Sequence, residues 1–517
     1  MADNHENNNQ DETLKEEVLG EKGKEQQDYP RRKKIGLVMG PLFFVLCLLL
    51  VPASESFTLP MRNAFASTGW IAIWWLTEAI PIPATSILPL LLFPLTGVME
   101  FTDTATGYAD SIVFLFLGGF IIAAAMQRWN LHRRIALGIV KTMGTQPKRL
   151  VFGFMLATGF LSMWISNTAT SMMLMPVGLA VILQVARLIK EQNLKIEIEA
   201  GKFSFGSALM LGIAYSASVG GLGTLIGTPP NAIFASVAES SLEINISFLD
   251  WMIFAFPLAI VFIIVVWYYL VKYFKLDDIK GLAAGKEVID EEIKQLGPMK
   301  AEEKKVLIVF SLVALGWITR GLFLEGALPA LNDSMIALAG AAILFVLPAN
   351  LKKGIFILDW ESAVKIPWGI LLLFGGGIAI AGSFEESGLT EWLGQQLAAL
   401  QHTPPLLVIF GIFGLVVFLS NVTSNTGTVS MILPVMIAMA GAMAVHPMGF
   451  MIVATAAASF AFILPVATPP NAVIFSSGYV PIEKMARAGL GITLITIALL
   501  PLILYLWLPF TWGISLN

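Results

Sequence analysis

Charge is scarce in this 517-residue chain: Asp, Glu, Lys and Arg make up 13% of it, against 56% hydrophobic residues. A soluble globular domain carries about 25% charged residues, so that class is excluded and the chain's solvent is a bilayer. Cysteine is scarcer still. Cys47 stands alone, so no internal disulfide can form, the fold rests on helix packing in lipid, and the redox compartment cannot be read from it. Histidine occurs four times, at 5, 132, 402 and 446, always in a predicted tail, loop or segment end, and no HExxH is present. Membrane carboxylates paired for catalysis are missing as well, which leaves an intramembrane enzyme the weakest class, behind a carrier or a channel.

What is abundant is apolar sequence, and the first 34 residues are its exception. They are polar and mixed in charge, and they read as a disordered cytoplasmic tail without a signal peptide. Arg31-Arg32-Lys33-Lys34 closes the tail and reads as a positive-inside anchor rather than a lipid-surface contact. From Ile35 onward, runs approaching the ~20 residues that span hydrocarbon predict eleven crossings. They fall near 35–52, 67–81, 85–98, 111–127, 205–238, 249–274, 305–325, 335–349, 366–384, 448–479 and 487–511. Two more apolar stretches, 150–186 and 404–444, are each interrupted halfway by a polar cluster.

The basic residues test this count, because cytoplasmic loops collect Lys and Arg. Predicted inner loops hold Arg128, Arg133 and Arg134; then Arg187, Lys190, Lys195 and Lys202; then eight lysines from Lys272 to Lys305; then Lys352, Lys353 and Lys365; then Lys484 and Arg487. Predicted outer loops such as "VMEFTDTATGYAD", "ESSLEINIS" and the tail "TWGISLN" hold none, with Arg62 the one exception. The alternation works only if both interrupted stretches return to the side they came from. They are therefore expected to be re-entrant hairpins, with the N-terminus cytoplasmic and the C-terminus extracytoplasmic.

Three landmarks recur in order. Ser166-Asn167-Thr168 returns as Ser424-Asn425-Thr426, 258 residues on, and Gly118-Gly119 returns as Gly375-Gly376 at a spacing of 257. Thr228-Pro229-Pro230-Asn231 returns as Thr468-Pro469-Pro470-Asn471 at 240, because the first copy holds 18 extra residues between its motifs. This is an internal repeat, and the topology inverts it, since the first hairpin enters from the inside and the second from the outside. Inverted repeats with broken helices meeting near the midplane are the architecture of secondary transporters.

Unwound backbone in a membrane requires burial in protein or a wet cavity. Ser and Asn at the hairpin tips suit N-caps, and Pro229 and Pro469 suit the first position of a helix. Four helix N-termini would converge, attractive to an anion, while the carbonyls, hydroxyls and Asn oxygens are hard neutral ligands suited to Na⁺. Neither the SNT nor the TPPN motif contains an ionisable residue, so a bound dianion would need helix dipoles and co-bound cations. Proton coupling has less support; Glu78 in "WWLTEAIPIP" is its best candidate. A single SNT reads best as hydrogen-bonding glue between helices, but its order-matched recurrence favours a site; the Gly pairs read as packing.

At these residues, from about Ile35 to Asn517, the chain resembles the divalent anion:sodium symporter family, the INDY-type dicarboxylate, citrate and sulfate carriers. The resemblance implies an all-α polytopic protein with a dimerising scaffold, a transport domain carrying both hairpins, and elevator-like movement. One sodium site would involve Ser162, Ser166, Asn167 and Gly227, the other Ser420, Ser424, Asn425 and Ala467. Substrate carboxylates would meet Asn167, Thr168, Thr228, Asn425, Thr426, Thr468 and Pro469. The second tip reads "SNTGT" where the first reads "SNTAT", and Gly427 in place of Ala169 would loosen that hairpin.

The expected organisation is a tail over 1–34, scaffold helices over 35–110, a first repeat over 111–275, a cytoplasmic loop over 276–304, connecting scaffold helices over 305–365 and a second repeat over 366–517. The expected function is sodium-coupled import of C4-dicarboxylates by a homodimer in the plasma membrane, with no organic cofactor and no nucleic-acid partner. A sulfate or citrate symporter and a sodium-independent dicarboxylate exchanger are its rivals.

Overall fold

The computed structural model describes residues 30–276, 285–324 and 326–515, and it is built almost wholly of helices. The only strands among the described residues pair Pro348–Asn350 with Ile355–Phe356. A helix closes its own main-chain hydrogen bonds, which lipid demands of any spanning segment. Of the expected tail, residues 1–29 lie outside the described residues, while Arg31 to Lys34 begin helix α1 (Arg31–Leu50).

Helix α2 (Leu59–Thr77) starts behind Thr58 with Pro60 in its first turn and stops at Glu78, whose φ of 50° ends it in the left-handed region. It therefore runs earlier than the predicted 67–81. The crossing predicted over 85–98 is broken: a single turn over Ile82–Thr85 precedes α3 (Leu88–Thr96). Pro81, Pro83 and Pro89 crowd this stretch, and each removes a main-chain donor a continuous helix would need.

A short helix over Phe101–Thr106 follows, and then seven longer ones. They are α4 (Ser111–Arg128), α5 (Leu131–Met143), α6 (Pro147–Ser162), α7 (Asn167–Glu191), α8 (Ser204–Gly221), α9 (Pro229–Leu242) and α10 (Phe248–Tyr273). The expected loop over 276–304 is not all loop: 277–284 lie outside the described residues, but Lys286–Leu296 forms α11. Its Val288, Ile289, Ile293 and Leu296 recur at helical spacing and pack on the core, with Ile289 buried. Then come α12 (Ala301–Thr319) and α13 (Asp333–Val346).

Seven more helices follow, after a single turn over Trp360–Ala363. They are α14 (Trp368–Glu386), α15 (Leu389–Gln396), α16 (Pro405–Val422), α17 (Asn425–Met443), α18 (Pro447–Ala458), α19 (Pro469–Ser476) and α20 (Ile482–Trp512). Nine helices among the described residues are long and apolar enough to cross a membrane alone, and α7, α16 and α17, arms of the interrupted stretches, are among them. Five expected crossings (α2, α3, α13, and the broken helices α8–α9 and α18–α19) fall short in length or hydropathy.

One extended core joins α4 through α14 and α16 through α20, and a smaller cluster joins α2 and α3 to α14 and α15 through Trp75, Phe93, Ile380 and Leu389. Glycines set the closest approach. A Cβ on Gly118 would fall 2.6 Å from the main-chain carbon of Ala337, and one on Gly376 would fall 2.8 Å from the Ser86 carbonyl oxygen. The Gly pairs thus pack helices, as their sequence context implies.

Ion pairs gather the basic loops on one face. Arg134 meets Glu303 through two hydrogen bonds, Arg133 meets Glu292, Lys141 meets Asp290 at 2.8 Å, and Arg128 meets Asp359 at 2.6 Å. The Lys141 hydrogen bond holds the Asp290 carboxyl below its usual range, and Glu199 with Glu197 pushes the Lys202 ammonium up to about 12. On the opposite face, the Asp333 carboxylate accepts from Phe248 N–H at 2.7 Å, and Ser334 donates to the Ser111 carbonyl at 2.6 Å. Loops predicted to share a side therefore meet each other.

Candidate functional site

Each interrupted stretch turns at its SNT motif, and the local chemistry explains the turn. Ser166 is the N-cap of α7, its hydroxyl accepting from Ala169 N–H at 3.3 Å; Ser424 caps α17 in the same way through Gly427 N–H at 3.5 Å. Asn167 and Asn425 are first helical residues rather than caps, which leaves their amides to face elsewhere. At the breaks, Pro229 and Pro469 open α9 and α19, with Thr228 and Thr468 as N-caps. Thr468 spends its hydroxyl accepting from Asn471 N–H, whereas Thr228 makes no side-chain cap bond.

The four N-termini converge on one cavity of about 690 Å³. Its walls include Ser166, Asn167, Thr168, Gly227, Thr228 and Pro229 from the first half, and Ser424, Asn425, Thr426, Ala467, Thr468 and Pro469 from the second. Of the residues assigned to sodium or substrate in the sequence, only Ser162 and Ser420 do not line it; both are fully buried behind the tips. Asn167 Oδ1, Asn425 Oδ1, Ser162 Oγ and Ser420 Oγ are buried without a hydrogen-bond partner among the described residues. Leaving such an oxygen unsatisfied costs about 1–3 kcal/mol, so paired orphans in both halves mark places that suit a cation or a polar ligand. A Cβ on Gly221 would fall 2.8 Å from Asn167 Oδ1 and 3.1 Å from the Gly227 carbonyl oxygen, which places these groups together. Gly427 is not forced by space: a Cβ there would stand 3.4 Å from Trp75 Cβ, an ordinary contact.

Each tip is tied to its own break. Thr224 donates its hydroxyl to the Met163 carbonyl, and Ile463 N–H donates to Asn421 Oδ1 at 2.9 Å. Asn421 follows Met163 by 258 residues, the spacing of the SNT repeat, so one joint is built twice from different atoms. Sequence reading missed Asn421, and it missed Ser218 of α8, which also lines the cavity. No residue-type signal pointed to Asn421, whose counterpart at the repeat spacing is Met163.

It also missed Arg32. The cavity extends to Arg32 and Glu78, the only ionisable residues lining it among the described residues, and Glu78 Oε2 lies 3.5 Å from Arg32 Nη2 and 3.3 Å from Lys33 Nζ. Arg32 of the anchor cluster is thus part of the cavity wall. Among the described residues no group of three or more His, Cys, Asp or Glu could hold a metal ion, and the orphaned oxygens at the tips are neutral.

The sequence profile of the family described as "Sodium:sulfate symporter transmembrane region" matches residues 32–513. The chain belongs to this family. It is a multi-pass membrane transporter, and the enzyme alternative falls. Its relatives include the sodium-dependent dicarboxylate transporter SdcS of Staphylococcus saprophyticus, 45% identical over 96% of this chain and 95% of that protein. SdcS of Staphylococcus aureus strain USA300 is 43% identical over the same shares. Among solved structures, Neisseria gonorrhoeae MtrF, of a class of antimetabolite efflux pumps, superimposes with a TM-score of 0.54 at 12% identity, covering 98% of each chain. The Alcanivorax borkumensis YdaH transporter gives 0.53 at 13% identity, covering 93% of this chain and 99% of that one. These two likenesses show the helical fold that the family shares with other transporters.

Proposed function

We propose that this protein imports C4-dicarboxylates such as succinate, malate or fumarate together with sodium. The observation that carries this reading is the convergence of four helix N-termini, two from each half, on one cavity whose motif residues bear no charge. Each N-terminus presents roughly half a positive charge, so four offer roughly the two that a dicarboxylate dianion needs. Thr168, Thr228, Thr426, Thr468 and Pro469, with Asn167 and Asn425, line the space the carboxylates would occupy.

Sodium sits on either side of that space in this reading. Ser162, Ser166, Asn167 and Gly227 form one site, and Ser420, Ser424, Asn425 and Ala467 the other. The orphaned oxygens are hard neutral donors, and each cation lowers the cost of placing a dianion beside it. Asn167 and Asn425 serve both ligands, so binding of each favours the other. The names of the relatives favour a dicarboxylate over the sulfate of the family description and over citrate.

Residues 111–275 and 366–517 act as two inverted repeats, each with one re-entrant hairpin, over 150–186 and 404–444, and one broken helix, over 205–238 and 448–479. Residues 35–110 and 305–365 form a scaffold that dimerises, and the hairpin-bearing domain moves past it in an elevator-like step. The basic face is cytoplasmic, so a cavity reaching Arg32 corresponds to a site open to the cytoplasm. The test is uptake of labelled succinate into liposomes holding the purified protein, with and without an inward sodium gradient. Gradient-driven accumulation is expected; equal counterflow without sodium would establish an exchanger instead.

A further inference from the structure

The breaks leave main-chain carbonyls that no helix can satisfy. Helix α8 ends at Gly221 and α18 at Ala458, and the carbonyls at and beyond these ends have lost the N–H groups four residues on. An asparagine in each half answers them, joined in the first half by Trp251 Nε1–H, which donates to the Leu222 carbonyl at 2.8 Å. Asn231 Nδ2 lies 2.7 Å from the Thr224 carbonyl oxygen, 3.1 Å from that of Gly221 and 3.3 Å from that of Leu222. Asn471 Nδ2 lies 3.1 Å from the Leu464 carbonyl oxygen and 3.4 Å from that of Ala461. Thr224 and Leu464, Gly221 and Ala461, and Asn231 and Asn471 are each 240 residues apart, the spacing of the TPPN repeat. The same clamp therefore grips equivalent carbonyls in both halves.

Both asparagines are fully buried, and in both the amide oxygen has no partner among the described residues. The requirement is thus for the donor end: an amide NH₂ offers two N–H groups to carbonyls, which an equally sized carboxylate cannot do. What the clamp holds is adjacent to the motif residues. A Cβ on Gly227 would fall 2.3 Å from the Gly221 carbonyl oxygen, and one on Gly221 would meet the Asn167 amide. Held by Asn231, the Gly221, Leu222 and Thr224 carbonyls fix the orientation of the peptides that lead up to Gly227.

We propose that Asn231 and Asn471 are positioning residues that set the geometry of the two sodium sites without touching substrate or ion, each by clamping the end of its broken helix. The proposal rests on the sodium-coupled reading above. It assigns unequal roles to the halves. Three contacts as short as 2.7 Å hold the first break, and two contacts of 3.1 and 3.4 Å hold the second. The first site is the more rigidly prepared, and the second is completed to a greater degree by the cation itself.

The experiment measures the sodium concentration for half-maximal succinate uptake, the succinate KM at saturating sodium, and the rise in melting temperature on replacing choline chloride with sodium chloride. The proteins are the wild type and the Asn231→Ala, Asn231→Ser, Asn471→Ala and Asn471→Ser variants in the full chain. Asn231→Ala should raise the half-maximal sodium concentration about tenfold or more and remove most of the sodium-induced melting shift, with KM at saturating sodium changed less than about threefold. Asn471→Ala should do the same by a smaller factor, and each serine, retaining one donor, should fall between alanine and wild type. Variants that fold with wild-type sodium dependence, or in which sodium and succinate constants rise equally, overturn the proposal. Failure of all four to fold also overturns it, since the clamp would then be purely structural. A wild type indifferent to sodium would instead remove the sodium-coupled reading on which it stands.

Discussion

Glu78 joins two helix ends at the edge of the cavity: its carboxylate lies 3.5 Å from the Arg32 guanidinium, 46 positions earlier in the chain. Both side chains are a third or more exposed, and such pairs contribute roughly 0–1 kcal/mol, so Glu78→Gln should leave stability nearly unchanged. It should alter transport instead, by leaving Arg32 and Lys33 uncompensated where a dianion enters or leaves. The succinate KM should fall by roughly two- to fivefold at low ionic strength, and Arg32→Gln should raise it, with both effects vanishing near ~1 M choline chloride, where charges are screened within ~3 Å. Salt-independent changes would place Glu78 in another role.

The two glycines of the first pair should behave differently. A methyl at Gly118 would press on the main chain of Ala337, whereas one at Gly119 would stand 3.5 Å from the Ile226 side chain. Gly118→Ala is expected to cost about 1–3 kcal/mol through overpacking, and Gly119→Ala to be neutral or slightly stabilising. Thermal melts of the two purified variants decide this.

A reporter fused after Asn517 should lie outside the cell, and one inserted in the 276–303 loop should lie inside. The motivation is the face that collects the Arg133, Arg134 and Lys141 ion pairs. Finding both on one side would break the inverted repeat.

Among the described residues no histidine lines the cavity, and the motif side chains carry no titratable group. Affinity expressed for the succinate dianion alone should therefore stay within about twofold between roughly pH 6.5 and 8, a range in which histidine is the usual titrating side chain. A larger change would reveal an ionising group in the binding step.

Much of this site was legible because its chemistry is local. Pro229 and Pro469 could only begin helices, Ser166 and Ser424 are cap residues, and the repeat register brought distant motifs into one argument. Where the reading slipped, the cause was a competing signal or a distant contact. Lys286–Leu296 was expected as loop because its charges hid the apolar stripe of Val288, Ile289, Ile293 and Leu296. Arg32 read as an anchor because nothing in its neighbourhood reports that α1 begins against Glu78. Asn421 went unread because its partner in the first half is a main-chain carbonyl, which leaves no trace in residue type.

The central claim is that the two SNT tips form one site shared by sodium and a dicarboxylate. The direct test is equilibrium binding of succinate to purified wild type, Asn167→Ala and Asn425→Ala as a function of sodium. Each substitution removes a buried amide oxygen that has no protein partner among the described residues. A hydrogen bond to a charged group is worth about 1.5–3 kcal/mol, and every ~1.4 kcal/mol is tenfold in affinity. Each variant should therefore bind succinate about tenfold or more weakly, need correspondingly more sodium, and melt close to wild type. A variant that is unstable yet binds succinate with wild-type sodium dependence would make that tip structural and contradict the shared site.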